Sequence, residues 1–472
     1  MTIAERLGVA LGEASETDRA TTWGSPMTWI GLVVVALLVT WFPHPFGGRD
    51  VGATSVAAIG VAVSLVLVRP WRSAGPALIG LLAWLAVAAL LVVPLTSGGR
   101  GAAVAATTYG LAAGAFLLTR WLGRDDLARR ALVAAVALGG ILQFGWAFLP
   151  WWGSGDPAHG MVGTYYWKNQ YAAALLAPAV LGLALAVLNR RPWRLIGWVA
   201  APLSVTGTFL SGSRAALAIL AVGWLVVGVL LVAGAKQRRA RVVRWVAVSL
   251  LTAAVAVVLP GPPLFSHQRS PLSQTVASTA DGHLQSSGDY RLQVWTEAVH
   301  VFTDHPLTGA GYGRVASATA AWKPAGWPVS SLVHNGALQA LADGGLLLAV
   351  PFLVLLGAAV LVLLRRAVPK GGSERDPLVE VAAVAGLMLI AHSMVDFDWS
   401  YPALAVITAV VIGLAIPARP VQQVGVTAGQ SRATGWLAAV LVGSLVVGGL
   451  ASWGQQFHIN ASVAVTSQGA SK

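Results

Sequence analysis

The feature that most constrains this chain is a succession of long apolar runs separated by short polar connections. A helix needs roughly 20 apolar residues to cross about 30 Å of hydrocarbon, and the runs come close to that length. Thirteen spans are predicted, over residues 27–42, 51–68, 77–95, 101–118, 131–149, 170–188, 195–210, 215–232, 245–259, 346–364, 378–395, 401–416 and 436–453. The pattern predicts an all-α polytopic membrane protein with about 12–13 transmembrane helices.

Composition supports this fold class and excludes others. Hydrophobic residues make up 56% of the 472 residues and charged residues only 10%, and a soluble domain of this length does not tolerate such a surface. The net charge of +13 favours membrane topology over nucleic-acid binding, because the charges sit in short clusters between apolar runs. The chain has no cysteine, which excludes disulfides, thiolate nucleophiles and cysteine metal sites.

Basic residues indicate which way the chain crosses the membrane. They cluster in every second connection, and most of the 31 lysines and arginines fall on that side. By the positive-inside rule this side is cytoplasmic. The chain then divides into a cytoplasmic tail over residues 1–26, a single transmembrane domain over 27–453 and an extracytoplasmic tail over 454–472. An extracytoplasmic loop over 260–333 is predicted to carry short helices, on a face where ATP and nucleotide sugars are not expected.

The second half of this loop concentrates polar and glycine residues. A helix is predicted to start near Arg291, where apolar residues recur at helical spacing, and to end before Pro306. The glycine-rich run 309–313 favours a plain tight turn over a phosphate cradle, because no strand precedes it. A second short helix is predicted from Ser331, with a break at residues 343–345.

Three residues are the candidate catalytic groups. Arg214 sits where one span ends outside and the next begins; it is either a snorkelling anchor or a functional cation, and the scarcity of positive charge on this face favours function. Arg291 lies at the head of the predicted loop helix. Two guanidinium groups converging at the lipid surface suit a diphosphate, because their planar forks match phosphate oxygens. His334 is either a structural cap or a general base at neutral pH.

Further polar residues at the same end are assigned to substrate binding. Lys168 and Asn169 open a span on this side and offer donors to a ligand, although the aromatic residues around Lys168 also suit it to an interface anchor. Tyr165 precedes them, and Asn335 directly follows the candidate base.

A third polar group, His392, Asp396 and Asp398, lies at the outer end of another span. The Asp-x-Asp spacing resembles a metal-binding pattern, but oxygen-ligand metal sites usually collect more groups, so no metal is expected. His392 and Asp396 are instead predicted to support the site from behind by pairing with one of its arginines or its histidine.

Five motifs, in their order and on this side of the membrane, resemble the O-antigen ligase and O-antigen polymerase superfamily: GTYYWKNQYAAALL, SGSRAALAIL, RLQVWTEAVHVFTDHPLTGAGYG, HNGALQALADGG and HSMVDFDWSYPA. The similarity runs from Tyr165 to Ala403. It implies a glycosyltransferase of the C type (GT-C-like) that moves a glycan from an undecaprenyl diphosphate carrier to an acceptor hydroxyl, with no metal, nucleotide sugar or cofactor. Carried over by motif, Arg214 and Arg291 resemble arginines that hold the donor diphosphate, and His334 resembles the histidine proposed to activate the acceptor.

The resemblance also implies a location and partners. The location is the bacterial cytoplasmic (inner) membrane, with the active site outside. The partners are an undecaprenyl-diphosphate-linked glycan donor and a glycan, glycolipid or protein acceptor, and the sequence does not separate ligase from polymerase. The alternative function is a transporter or flippase of lipid-linked glycans, since many spans with polar residues also suit transport. Its signature, two related halves with interrupted spans, is not evident in the sequence.

Overall fold

The structure is a computed structural model that describes residues 26–44, 46–97, 102–154, 160–188, 192–233, 237–258, 283–324, 330–368, 376–418 and 428–469. Its α-helices are α1 Pro26–Thr40, α2 Val51–Val68, α3 Pro76–Ser97, α4 Ala102–Leu122, α5 Asp126–Ser154, α6 Lys168–Leu188, α7 Trp193–Ser211, α8 Arg214–Val232, α9 Arg238–Val258, α10 His283–Asp304, α11 Val315–Ala318, α12 Gly336–Ala367, α13 Pro377–Ser393, α14 Pro402–Ala415 and α15 Ala428–Gly469. Short 3-10 helices cover Phe46–Gly48, Pro70–Ser73, Gly163–Tyr165 and Asp398–Ser400. The described residues contain no strand.

Each of the thirteen predicted spans coincides with one of these helices, which confirms the all-α polytopic fold class. Seven helices in the described part of the chain are long and apolar enough to cross a membrane, namely α2, α4, α5, α6, α8, α12 and α15. Shorter apolar helices, α1, α3, α13 and α14, accompany them. The two remaining predicted spans correspond to α7 and α9.

Helix α6 forms the centre of the bundle. Of its most apolar stretch, 94% is buried inside the protein, and α5, α7, α8 and α13 pack around it. Glycine explains the close approach of α6 and α7, because a Cβ at Gly197 would collide with the backbone of Gly182 and Ala186. Small residues bring helices together in this way within a bilayer, where lipid provides no hydrophobic drive for association.

Polar contacts lie at the two ends of the helix bundle. At one end, Arg129 pairs with Asp376 at 2.7 Å, and the N–H of Ala418 donates to the Arg120 carbonyl at 2.8 Å. At the other end, the starts of α6, α8, α12 and α14 meet the ends of α7 and α13. We call this second end the site end, because the candidate residues lie there.

Helix α12 is interrupted at Gly345, whose backbone has φ +55° and ψ −155°. The turn over residues 306–313 docks onto this interruption, and the N–H of Ala310 donates to the Ala342 carbonyl at 2.8 Å. The predicted break is confirmed. The glycine-rich run serves as a turn, and part of its backbone hydrogen-bonding capacity is used by α12.

The predicted start of this second helix at Ser331 is wrong. Helix α12 begins at Gly336 and is capped by Asn335, whose Oδ1 accepts from the N–H groups of Ala337 and Leu338. An asparagine in extended backbone that reaches two unpaired N–H groups provides a complete N-cap, so the helix needs no earlier serine.

The loop helix α10 begins at His283, earlier than predicted, contains Arg291 and ends at Asp304, before the proline. Its inward face consists of buried apolar residues, Val294, Ala298 and Val301. Leu292 and Val299, two of the apolar residues whose helical spacing predicts this helix, are exposed. The helix therefore has a second apolar face turned away from the protein.

A buried ion pair ties α10 to the chain that follows it. Glu297 is fully buried, and its Oε1 lies 2.9 Å from Lys323 Nζ. The Thr319 hydroxyl donates to the other carboxylate oxygen at 3.3 Å. Such pairing makes a buried carboxylate tolerable, and it holds the loop in a folded unit.

The structure describes the predicted tails and the large loop only in part. Helix α15 continues to Gly469, so most of the residues assigned to the C-terminal tail are helical. Residues 1–25 and 259–282, which hold most of the predicted N-terminal tail and the first part of the large loop, lie outside the described residues.

Gly345→Ala is expected to destabilise the protein by about 1–3 kcal/mol, because a side chain is strained in the left-handed backbone of this position. The added Cβ would also lie 2.6 Å from the backbone N of Thr308. Gly357→Ala on the same helix, where nothing lies within 4 Å of the new Cβ, is the matched control and should be neutral or slightly stabilising. Thermal unfolding in detergent measures the stability of both variants. Equal midpoint temperatures for the two variants would contradict the docking of the turn over residues 306–313 onto α12.

Candidate functional site

The site is centred on the carboxylate of Asp396, just beyond the end of α13. Its side chain is only 2% exposed. Asn169 Nδ2 donates to Oδ2 at 2.7 Å, and Gln170 Nε2 donates to Oδ1 at 2.8 Å. The N–H of Phe397 also donates to Oδ1, at 2.9 Å. Both oxygens are held, so the carboxylate has a fixed orientation.

Two of the three candidate catalytic residues meet this carboxylate. His334 Nδ1 lies 3.3 Å from Oδ1 of Asp396, and Arg291 Nη2 lies 3.7 Å from Oδ2. Their side chains are 18% and 29% exposed, so both remain accessible at the surface. The structure thus brings together residues that lie far apart in the sequence.

The pKa of Asp396 is about 2, below its ordinary value of 3.8. Burial alone would raise this pKa, but the contact with His334 and the nearby His392 lower it further than burial raises it. The carboxyl group is therefore ionised at neutral pH. It can stabilise a cation or accept the N–H of an imidazole.

His334 occupies the left-handed region of the backbone, with φ +56°. A non-glycine residue adopts this conformation at a cost, and it persists where the surroundings fix it. The ring packs edge-on against Phe397 at a centroid distance of 4.6 Å and against Tyr290 at 5.6 Å. The imidazole is therefore held by its backbone, by two aromatic rings and by a carboxylate.

Asn335 uses both ends of its amide within the protein. Its Oδ1 caps α12, and its Nδ2 donates to the Met394 carbonyl at 2.9 Å. These contacts tie the start of α12 to the loop that carries Asp396. They position the neighbouring His334. The predicted contact of Asn335 with substrate is not supported, because its amide is already engaged within the protein.

Tyr165 lies behind the site. It is fully buried, and its ring packs against Tyr401 at a centroid distance of 5.7 Å. This placement does not support the predicted contact of Tyr165 with substrate, because the side chain has no exposed surface that a ligand could touch.

A second acid and histidine pair lies beside Asp396. His392 is fully buried, and its Nδ1 lies 2.7 Å from Asp398 Oδ2. Burial raises the pKa of Asp398, and the neighbouring His392 opposes that effect. His392 therefore pairs with Asp398 rather than with an arginine of the site. Within the described ranges, no three His, Asp or Glu side chains are grouped to hold a metal ion.

Arg214 is the first residue of α8, at the site end. A Cβ at Gly160 would lie 3.6 Å from Lys168 Cδ and would also touch the carbonyl oxygen of Ser211, so the turn before Arg214 adjoins Lys168. Arg214 Nη1 is buried and has no hydrogen-bond partner among the described residues. An unpaired buried N–H is costly. The Arg214 side chain as a whole is partly exposed, so its other N–H groups can donate to a ligand. Among the described residues, Arg291 and His334 pair with Asp396 and Arg214 does not.

Three residues of this site are not predicted by the sequence. Gln170 holds Asp396, and Phe397 and Tyr290 hold the ring of His334. Only Gln170 carries a signal in the sequence, because an amide within the first turn of an apolar span needs a buried partner.

Residues 199–353 match the O-antigen ligase family. The matched segment contains Arg214, Arg291 and His334 and ends before Asp396. The match confirms the resemblance to the O-antigen ligase superfamily and, together with the apolar helices, supports an O-antigen ligase-like membrane glycosyltransferase. No curated protein matches the chain.

Asp396→Asn is expected to destabilise the protein by about 2 kcal/mol at neutral pH, because folding lowers the pKa of this carboxyl from 3.8 to about 2. The folded-state pKa lies below the unfolded-state value, so the contribution is complete above about pH 4 and is lost as the pH falls towards 2. The gap in thermal midpoint between the variant and wild type should narrow over that range. A gap that does not change with pH would show that the charge of Asp396 is not stabilising.

Proposed function

On the basis of the O-antigen ligase match over residues 199–353, we propose that this protein transfers a glycan from an undecaprenyl-diphosphate-linked donor to an acceptor hydroxyl. The observation that carries the proposal is the convergence of His334 and Arg291 on the buried carboxylate of Asp396. It combines a base and a cation at one point of the site end.

The cationic residues bind the donor diphosphate. Arg291 lies beyond hydrogen-bond distance of Asp396, so its N–H groups can bond to phosphate. Arg214 is partly exposed at the head of α8, and Lys168 is exposed beside the turn that precedes Arg214. Planar guanidinium forks match phosphate oxygens two at a time. Cations held at the site stabilise the negative charge that develops on the leaving group.

His334 is the general base. A carboxylate at Nδ1 favours the tautomer with the proton on that nitrogen, and Nε2 is then free of a proton and able to accept one. The aromatic contacts with Tyr290 and Phe397 hold the ring plane. Asp396 therefore positions the base and stabilises the imidazolium that forms.

The reaction is a direct displacement at the anomeric carbon. The acceptor oxygen bonds to that carbon while the bond from the carbon to the diphosphate oxygen breaks, and its electron pair leaves with the diphosphate. The proton of the acceptor hydroxyl passes to His334 Nε2. Arg214 and Arg291 hold the departing diphosphate.

The site end is assigned to the outer face of the bacterial cytoplasmic membrane. This assignment follows from the basic clusters, which lie in the connections of the opposite end. A donor that is already lipid-linked suits this face, because nucleotide-activated sugars are not expected there.

Glycan transfer from a purified lipid-linked donor, measured in detergent with single variants, tests the proposal. Arg214→Ala and Arg291→Ala should each lower kcat by about 10²–10³-fold, the loss typical of removing one transition-state donor. His334→Asn should abolish general-base catalysis. Asparagine tolerates the left-handed backbone of this position, so a loss of activity in this variant reports on the imidazole rather than on backbone strain.

The controls are His305→Ala and Arg72→Ala, which remove exposed side chains of the same types outside the contacts described above. Both should turn over like wild type. Near-normal transfer by folded site variants would defeat the assignment. The products distinguish a transferase from a flippase. A flippase moves the donor intact, whereas a transferase releases carrier diphosphate and moves the glycan to the acceptor.

A further inference from the structure

The residue that precedes His334 is fixed from inside the protein. Val333 is fully buried, and its side chain belongs to the apolar cluster between α10 and α12, with Ala298 and Ala342. Its backbone N–H donates to Oε1 of Gln339 at 2.7 Å. A buried N–H without a partner costs free energy, so this bond holds the chain at the point where it enters His334.

Gln339 itself is held by an acid one turn further along α12. Its side chain is buried, and its Nε2 donates to Oδ1 of Asp343 at 2.8 Å. The amide nitrogen can only donate a hydrogen bond and the amide oxygen can only accept one. With the nitrogen bonded to the acid, the oxygen faces the N–H of Val333. Asp343 therefore sets the orientation of the amide.

Asp343 is held in turn by the loop that docks onto α12. The N–H of Gly311, within the turn over residues 306–313, donates to the Asp343 carbonyl at 3.2 Å. The Asp343 side chain is buried at the same point of the helix. A continuous set of hydrogen bonds therefore runs from the docked turn through Asp343 and Gln339 to the backbone in front of His334.

His334 needs this support because its backbone is left-handed, with φ +56°. A non-glycine residue keeps such a conformation only where its surroundings fix it. Asn335 fixes the chain after His334 by capping α12. Gln339 fixes the chain before His334, through the N–H of Val333. A change of the backbone between these two points would carry the imidazole away from Asp396.

We propose that Gln339, oriented by Asp343, is a positioning residue for His334, because its amide holds the left-handed backbone that places the imidazole on Asp396. The inference rests on the proposed function where it concerns turnover, since it takes His334 as the base. The two amide contacts of Gln339 are a backbone N–H and a carboxyl group. Gln339 therefore acts on catalysis through the geometry of His334.

Exchanging the acid and the amide tests this role by rescue. Gln339→Glu keeps an acceptor for the Val333 N–H but sets an oxygen against the Asp343 carboxyl group, so the side chain loses its orientation. It should lower kcat for glycan transfer by about 10²-fold, the loss that a misplacement of about 1 Å can cause, and leave KM unchanged. Gln339→Glu combined with Asp343→Asn restores one acid and one amide at the same two positions. The kcat of this exchange variant should return close to that of wild type.

Gln339→Met keeps the test available where Gln339→Glu does not fold. Methionine has a similar length and no charge, and it offers the Val333 N–H only a weak acceptor, so the same loss in kcat is expected. Gln143→Met is the matched control. Gln143 is also buried and accepts a hydrogen bond from the Thr164 hydroxyl, but it lies on α5 rather than α12. The control should lose thermal stability and keep the kcat of wild type.

Chemical labelling tests the positioning without turnover. Diethyl pyrocarbonate modifies imidazole nitrogens, and its rate at His334 is measured by mass spectrometry relative to the exposed His305 of the same folded protein. Both single Gln339 variants should raise this rate, because the ring leaves its two aromatic contacts. The exchange variant and Gln143→Met should match wild type.

The labelling rate and kcat together decide the outcome. An unchanged rate at His334 in folded Gln339 variants would overturn the proposal, as would a folded exchange variant that stays as impaired as Gln339→Glu. A raised rate in the single variants, with wild-type protein that transfers no glycan, would support the positioning of His334 and defeat the proposed function alone.

Discussion

One buried charge, the carboxylate of Asp396, determines how the site end of this bundle is assembled. A charge with almost no solvent exposure persists only when it is paired and hydrogen-bonded. The chain meets this requirement with two amides from α6, an imidazole ahead of α12 and a guanidinium from α10. The contacts that make the charge tolerable also fix His334 and Arg291, so stability and the proposed chemistry depend on the same atoms.

Much of this arrangement could be predicted from the sequence, because its causes are local. A bilayer imposes length and apolarity on each span separately, and all thirteen predicted spans are helices. Arg291, His334 and Asp396 stand out because ionisable groups are rare in an apolar chain. The break in α12 is also visible locally, since two consecutive glycines follow Asp343.

The remainder could not be predicted, because it depends on partners far away in the sequence. Tyr165 looks like a ligand contact until the packing of the 3-10 helix against Tyr401 removes its exposed surface. Glu297 looks like a solvent-facing residue, but Lys323 neutralises it inside the loop. Asn335, which caps α12, also donates to the Met394 carbonyl, a contact between distant segments that no helical periodicity encodes.

The order in which the partners of Asp396 are synthesised has a consequence for biogenesis. Asn169, Arg291 and His334 all leave the ribosome before Asp396 does, because synthesis proceeds from the N-terminus. A nascent chain therefore exposes an arginine and a histidine without their anion until α13 has emerged. Any fragment that stops before α13 retains the segment that matches the O-antigen ligase family yet lacks the carboxylate that joins its charged residues.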